Sequence, residues 1–267
     1  MNTTPSRPAC ILSIAIVTAC LLGATPMAAR ADADPWRVDF TTWLWLYGIT
    51  GDIGIGPLTA DVDSTFLDVL QESDSVMAFS GRLEVGYGKF AGYVDGTYAK
   101  VGADDQSGSA GAANIDVTVN TGLVDFGLMY RLTDWESTVD ERGGALDIYA
   151  GARYLTLGVE LDPAAANSLQ RDRDWIDPIV GLKVRQPLAP AWHLSAWGDV
   201  GGFGVSSDLT WSVTAVVGFD FELFKIPATF YVGYRAIGWD YTDGSGPSRL
   251  EWDAVMHGPT LGFQARF

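Results

Sequence analysis

The chain ends on the eighteen residues LEWDAVMHGPTLGFQARF, 250–267, and its last residue is Phe267. Counted back by twos, Phe267, Ala265, Phe263 and Leu261 fall on one face of a strand. Arg266, Gln264, Gly262 and Thr260 fall on the other. A sheet in water turns its apolar face to a core. A barrel in a membrane does the reverse, with apolar side chains toward lipid and polar ones toward the lumen. Strands of the same alternation recur along the chain, so the pattern constrains the whole fold.

The N-terminus reads as an export signal. Arg7 lies in a short polar region, Ala9–Leu22 is apolar, and Ala29-Arg30-Ala31 supplies an A-x-A cleavage site. Val17-Thr18-Ala19-Cys20 also fits a lipoprotein lipobox. The apolar run continues past it through Leu21-Leu22 to the better site, so cleavage is placed after Ala31. The domains are then 1–31, a signal peptide, and 32–267, the barrel. Both cysteines, Cys10 and Cys20, fall in the removed part. After Leu22 no run of about twenty apolar residues follows, so no spanning helix is expected. The formal charge of −16 argues against nucleic acid, because phosphate binding needs clustered Lys and Arg. Acid accumulates between Asp39 and Asp74, where Asp52, Asp61, Asp63, Asp68, Glu72 and Asp74 meet no Lys or Arg.

The alternation predicts strands at 36–48, 75–88, 90–101, 114–132, 145–159, 174–186, 191–203, 209–221, 228–241 and 250–267. The fold class is all-β: a closed antiparallel transmembrane β-barrel of about ten strands, with eight or twelve as alternatives. Segments 49–74, 102–113, 162–173, 204–208 and 242–248 become extracellular loops. Lys89, 133–144, 187–190 and the Lys225 turn become periplasmic. Phe66, Leu67, Val69 and Leu70 have helical spacing and could fold into the barrel as a plug. Trp36, Tyr87, Tyr130, Trp192 and Trp211 would form interfacial girdles.

Gly198-Asp199-Val200-Gly201-Gly202-Phe203-Gly204, with His257-Gly258-Pro259 and the terminal Phe, resembles a family of proteobacterial outer-membrane β-barrels of the small OmpA and OmpW type. The terminal strand, with Leu261, Phe263 and Phe267, resembles the assembly signal of Gram-negative barrels. The resemblance implies the fold, the cell outer membrane, contact with lipid and lipopolysaccharide, and engagement of the barrel-assembly machinery. It implies no activity.

The same parity predicts a lumen charge network: Arg37, Asp39, Arg82, Glu84, Asp95, Asp125, Arg131, Asp147, Arg153, Asp177, Lys183, Arg185, Asp199, Asp220 and Arg235, joined by Arg266 and Glu222. Opposite signs nearly balance. A narrow barrel would then cross-link its walls by ion pairs, since an unpaired buried charge is costly. His193 and Ser195 share the inward face. Their H-x-S spacing resembles the pair of the lipid A deacylases, with no acid obviously placed to orient the His. His257 should face lipid at the outer interface. Two histidines on different strands and no mature cysteine give no expected metal site or cofactor. The function read from the residues is non-enzymatic: a structural or narrow, porin-like membrane protein that could pass small solutes. The alternatives are a surface-binding barrel acting through acidic loops and a lipid-acting enzyme built on His193 and Ser195.

Overall fold

The computed structural model describes residues 36–67, 78–108, 115–140, 142–163 and 167–267. Segment 1–31, read from the sequence as a signal peptide, both cysteines, Asp68, Val69, Leu70, Glu72 and Asp74 lie outside the described residues.

Twelve strands follow one another: β1 Trp36–Trp45, β2 Gly48–Ile55, β3 Leu58–Ser64, β4 Ala78–Tyr87, β5 Phe90–Gly108, β6 Ile115–Trp135, β7 Gly144–Pro163, β8 Leu169–Ala189, β9 Trp192–Gly202, β10 Leu209–Leu223, β11 Ile226–Asp243 and β12 Leu250–Arg266. All pair antiparallel. β12 pairs with β1 (Phe263 opposite Thr42) and, further up, with β2 (Val255 opposite Thr50), so β1 and β2 are halves of one stave. β4 lies beside β1 and β3 beside β2, and both pair with β5, so they share a second stave. Among the described residues, twelve strands thus make a closed barrel of ten staves.

Several predicted loops are strands. Most of 49–64 is the β2–β3 hairpin, turning at Gly56-Pro57, and β5 runs on to Gly108. β7 extends to Pro163 and β8 begins at Leu169, which shortens the expected loop 162–173. The β10–β11 turn is Phe224-Lys225, both left-handed at φ 52° and 67°.

The physical reason is a change of solvent along the strands. In the lower barrel the alternation is that of a membrane wall. Leu83, Val94, Leu128, Leu182, Val217 and Val232 are exposed outward, while Arg82, Asp95, Asp125 and Thr214 are buried inward. Above that level the pattern inverts. On β7, Arg153 is followed on the inner face by Leu155, Leu157, Val159 and Leu161, all buried, while Thr156, Glu160 and Asp162 face out. On β12, Trp252, Ala254 and Met256 face in and Asp253 faces out. Such walls stand in water, so the outer half is a soluble head on a membrane barrel.

The head is flattened. The β9–β10 hairpin stops at Gly202 and Leu209, and β8 meets β9 only from Ile179 downward. With no strands between them at this height, β8 and β11 close on each other through side chains. Trp175 and Tyr241 stack at 3.8 Å with planes 2° apart, and Arg173 pairs with Asp243 at 2.7 Å. β2 approaches β8 and β3 approaches β6 across the interior. Two layers, β5–β8 and β3–β2–β12–β11, therefore enclose one apolar core that includes Trp45, Ile53, Val62, Leu157, Ile237 and Trp252.

Candidate functional site

The lumen at membrane level gathers many buried charges among the described residues. Strand alternation places Arg153 of β7, Asp125 of β6 and Asp199 of β9 on the inner face. Arg153 is fully buried. Its Nε and Nη2 donate to the two oxygens of Asp125, each at 2.9 Å, a bidentate pair. Nη2 also donates to Asp199 Oδ2 at 3.2 Å, and Nη1 donates to Thr210 Oγ1 at 3.0 Å. Asp199 Oδ2 accepts further bonds from Tyr149 Oη at 2.9 Å and Ser212 Oγ at 2.6 Å. This knot joins four strands, β6, β7, β9 and β10.

One step toward the periplasm, Arg82 Nε donates to Glu84 at 2.6 Å, and Lys183 Nζ donates to the same carboxylate at 2.6 and 2.9 Å. Arg82 also faces Asp95 at 3.5 Å and lies 4.6 Å from the Tyr93 ring centroid. Arg235 reaches Asp95 at 3.7 Å from the far wall. Nearest the periplasm, Asp39 is gripped by Arg37 and Arg266. Arg131 pairs with Asp147, and Arg185 and Arg142 share Asp140 and Asp220. The side chains named from the sequence thus all lie on the luminal face, except that Glu222 is exposed at the periplasmic end.

Asp177 sits apart from the knot. It accepts the backbone N–H of Ser207 at 2.8 Å, the Ser207 hydroxyl at 2.6 Å and Trp175 Nε1 at 3.0 Å. It ties down the short β9–β10 turn rather than joining the lumen pairs.

Asp140 and Arg142 were not identified from the sequence, because the connection 133–144 reads only as a charged loop. Burial pushes the Asp140 carboxyl up. The hydrogen bond from Arg185 and the bond and charge of Arg142 outweigh it and bring the pKa down to about 2.

His193 and Ser195 are both buried in the lumen. Asp220 Oδ2 lies 3.0 Å from His193 Nδ1, so an acid orients the ring, contrary to the reading of the sequence. The ring occupies room left by Gly218, where a Cβ would come within 2.6 Å of His193 Nε2. Among the described residues Ser195 makes no hydrogen bond to His193. His257 lies on the outer face of β12, where Tyr234 Oη and Thr50 Oγ1 meet its two ring nitrogens at 2.7 and 3.3 Å. Among the described residues, no group of three or more His, Cys, Asp or Glu side chains could hold a metal. In the terminal strand, Leu261 and Phe267 are exposed and Phe263 is half-buried.

The acidic segment resolves into a row on the head. Asp61, Asp52, Asp253 and Asp240 stand directly opposite one another across β3, β2, β12 and β11, all exposed. Desolvation, then Asp61, Asp253 and Glu251, raise the pKa of Asp52. Desolvation, then Asp253, Asp208 and Glu251, raise that of Asp240. Carboxylates with raised folded pKa values favour the fold when protonated. That contribution is full below the ordinary carboxylate pKa and is lost as pH rises through the raised one. Asp253→Asn should therefore stabilise the head at pH 7, by roughly 0.2–1 kcal/mol for a relieved cross-strand pair. The gain should vanish near pH 3, which denaturant unfolding at the two pH values will show. A gain that persists at pH 3 would mean that repulsion is not its source.

No family model matches the chain, and no curated protein matches it in sequence. Among solved structures, it is similar to the outer membrane protease OmpT from Escherichia coli at TM-score 0.52 and 8% identity, over 86% of this chain and 97% of that one. It also aligns with the attachment invasion locus protein Ail of Yersinia pestis (TM-score 0.36, 10% identity, 87% and 99% covered). A further alignment is to the outer membrane protein AlkL (TM-score 0.36, 11% identity, 91% and 96% covered). At these identities the likeness to OmpT shows the fold alone. Together with the apolar belt, that fold makes the chain an integral outer-membrane β-barrel.

Proposed function

We propose that this barrel is closed to solutes and non-enzymatic, and that it serves as a membrane anchor carrying a folded head on the cell surface. One observation carries the reading. The Arg153 knot spans the lumen, and the space directly above it is packed with apolar side chains. A pore selective for ions needs a wetted path lined by polar groups or charges. At the knot the lining charges are spent on one another, and among the described residues the core directly above them is apolar. His193 and Ser195 do not support lipid chemistry, because both face the lumen rather than the lipid and no hydrogen bond links them. The refolded chain 32–267 in a planar bilayer should show no steady conductance while its heat-modifiable gel migration proves the barrel folded. Regular open steps that change with Arg82 or Asp199 substitutions would overturn the closed-lumen reading.

A second reading, binding at the cell surface, is favoured by the row of four carboxylates, which gives one side of the head a strongly negative face. It predicts that a basic partner is lost when Asp52 and Asp253 are both changed to Asn, with the barrel intact.

A further inference from the structure

The lumen below the knot is not fully packed. A polar chamber of about 270 Å³ opens at the periplasmic end. Above it the space narrows to a void of about 30 Å³ beside Trp43 and Trp197. The chamber lining carries six cations, Arg37, Arg131, Arg142, Lys183, Arg185 and Arg266, against three carboxylates, Asp39, Glu84 and Asp147. Asp140 and Asp220 face the same region through their pairs with Arg142 and Arg185, and cations remain in excess.

The pairing leaves donors unused. Arg37 and Arg266 both hold Asp39 through Nε, at 3.1 and 2.6 Å. Among the described residues, the terminal Nη1 and Nη2 of each make no hydrogen bond. One carboxylate between two guanidinium groups leaves a net positive charge, with forked donors at its edge. Gln264 Oε1 accepts from Tyr231 Oη at 2.9 Å, which leaves its amide N–H groups to the chamber. The Ser195 hydroxyl lines the same space without a side-chain partner among the described residues.

We propose that this chamber binds a small phosphate-type dianion from the periplasm, held by the free ends of Arg37 and Arg266 and by the neutral donors of Gln264 and Ser195. Guanidinium forks match the paired oxygens of phosphate, and charge-assisted bonds are the stronger class. A water molecule claims about 30 Å³ of liquid, so the chamber holds inorganic phosphate with a few waters and excludes anything much larger. The phosphate of a lipid headgroup offers the same oxygens but is tethered to its acyl chains outside the barrel. The chamber is blind above, so binding requires no passage through the barrel.

The test is isothermal titration of the refolded chain 32–267 in uncharged detergent with sodium phosphate, against sodium chloride at matched ionic strength. A parallel arm uses short-chain phosphatidic acid. Saturable one-site binding of inorganic phosphate is expected. It should weaken about tenfold or more in Arg37→Gln and Arg266→Gln, for the loss of a charged donor. Arg173→Gln, in the head, should leave it unchanged. If Arg266→Gln perturbs assembly of the terminal strand, Arg37→Gln still decides, because that side chain lies half-exposed at the start of β1. Heat no greater than chloride gives, binding undiminished by Arg37→Gln, or saturation by the lipid alone would each overturn the proposal. None of these results bears on the closed lumen, which conductance decides separately.

Discussion

Arg153→Ala is expected to destabilise the folded barrel by about 3–5 kcal/mol, the cost of leaving buried carboxylates without their partner. Asp125 loses both oxygens' donors at once, and Asp199 keeps only Tyr149 and Ser212. The loss should appear as a lower denaturant midpoint of the refolded chain in detergent micelles. A companion variant separates charge from shape. Arg153→Met with Asp125→Asn and Asp199→Asn removes all three charges while keeping most of the volume, and should recover most of the lost stability. If the single and triple variants unfold alike, the ion pairs are not what Arg153 contributes.

Trp252→Ala carries the second large effect, about 3–5 kcal/mol from the lost burial and the cavity left behind. Trp252 is almost wholly buried in the head core, yet among the described residues its indole Nε1 finds no hydrogen-bond partner. Trp252→Phe should therefore cost much less than the alanine change, since it keeps the ring packing and removes a stranded donor. The position also predicts where the damage falls. Proteolysis from outside should cut the weakened head while the membrane part stays heat-modifiable, because the apolar cluster lies on the head side of the lumen network. Equal resistance of Trp252→Ala and the parent to external protease would argue against a separately packed head.

The membrane half of this architecture was legible in the sequence. The alternation that puts Asp95, Asp125, Asp199 and Asp220 on one parity and Val94, Phe126, Val200 and Phe219 on the other also places them in the structure. What was not legible followed from applying one solvent to whole strands. On β7 the inner parity runs Asp147, Tyr149, Arg153 and then Leu155, Leu157, Val159 and Leu161. An apolar run on the luminal parity signals that the outer solvent has changed from lipid to water. Asp61-Val62-Asp63 on β3 carries the same signal in a segment read as a loop. Pairing across distant strands was beyond reach for a different reason. That Asp220 meets His193, or that Lys183 meets Glu84, depends on barrel closure and tilt, which alternation within a strand does not encode.

The inversion of the wall also sets how deeply the protein floats. On the outer face of the adjacent strands β6, β7 and β8, Val124, Tyr154 and Ile176 form one row. Gly122, Thr156 and Asp174 form the next. Sinking the barrel by one such row would carry Asp174 into the acyl chains, and a second would carry Asp172 after it. Raising it would strip lipid from Tyr154 and Ile176 and expose them to water at about 25 cal/mol per Å² of apolar surface. Either displacement is opposed, so the chain carries its own waterline. A bilayer thicker or thinner than the belt must deform to meet it rather than let the barrel slide, and the height of the head above the lipid is fixed by the sequence of its wall.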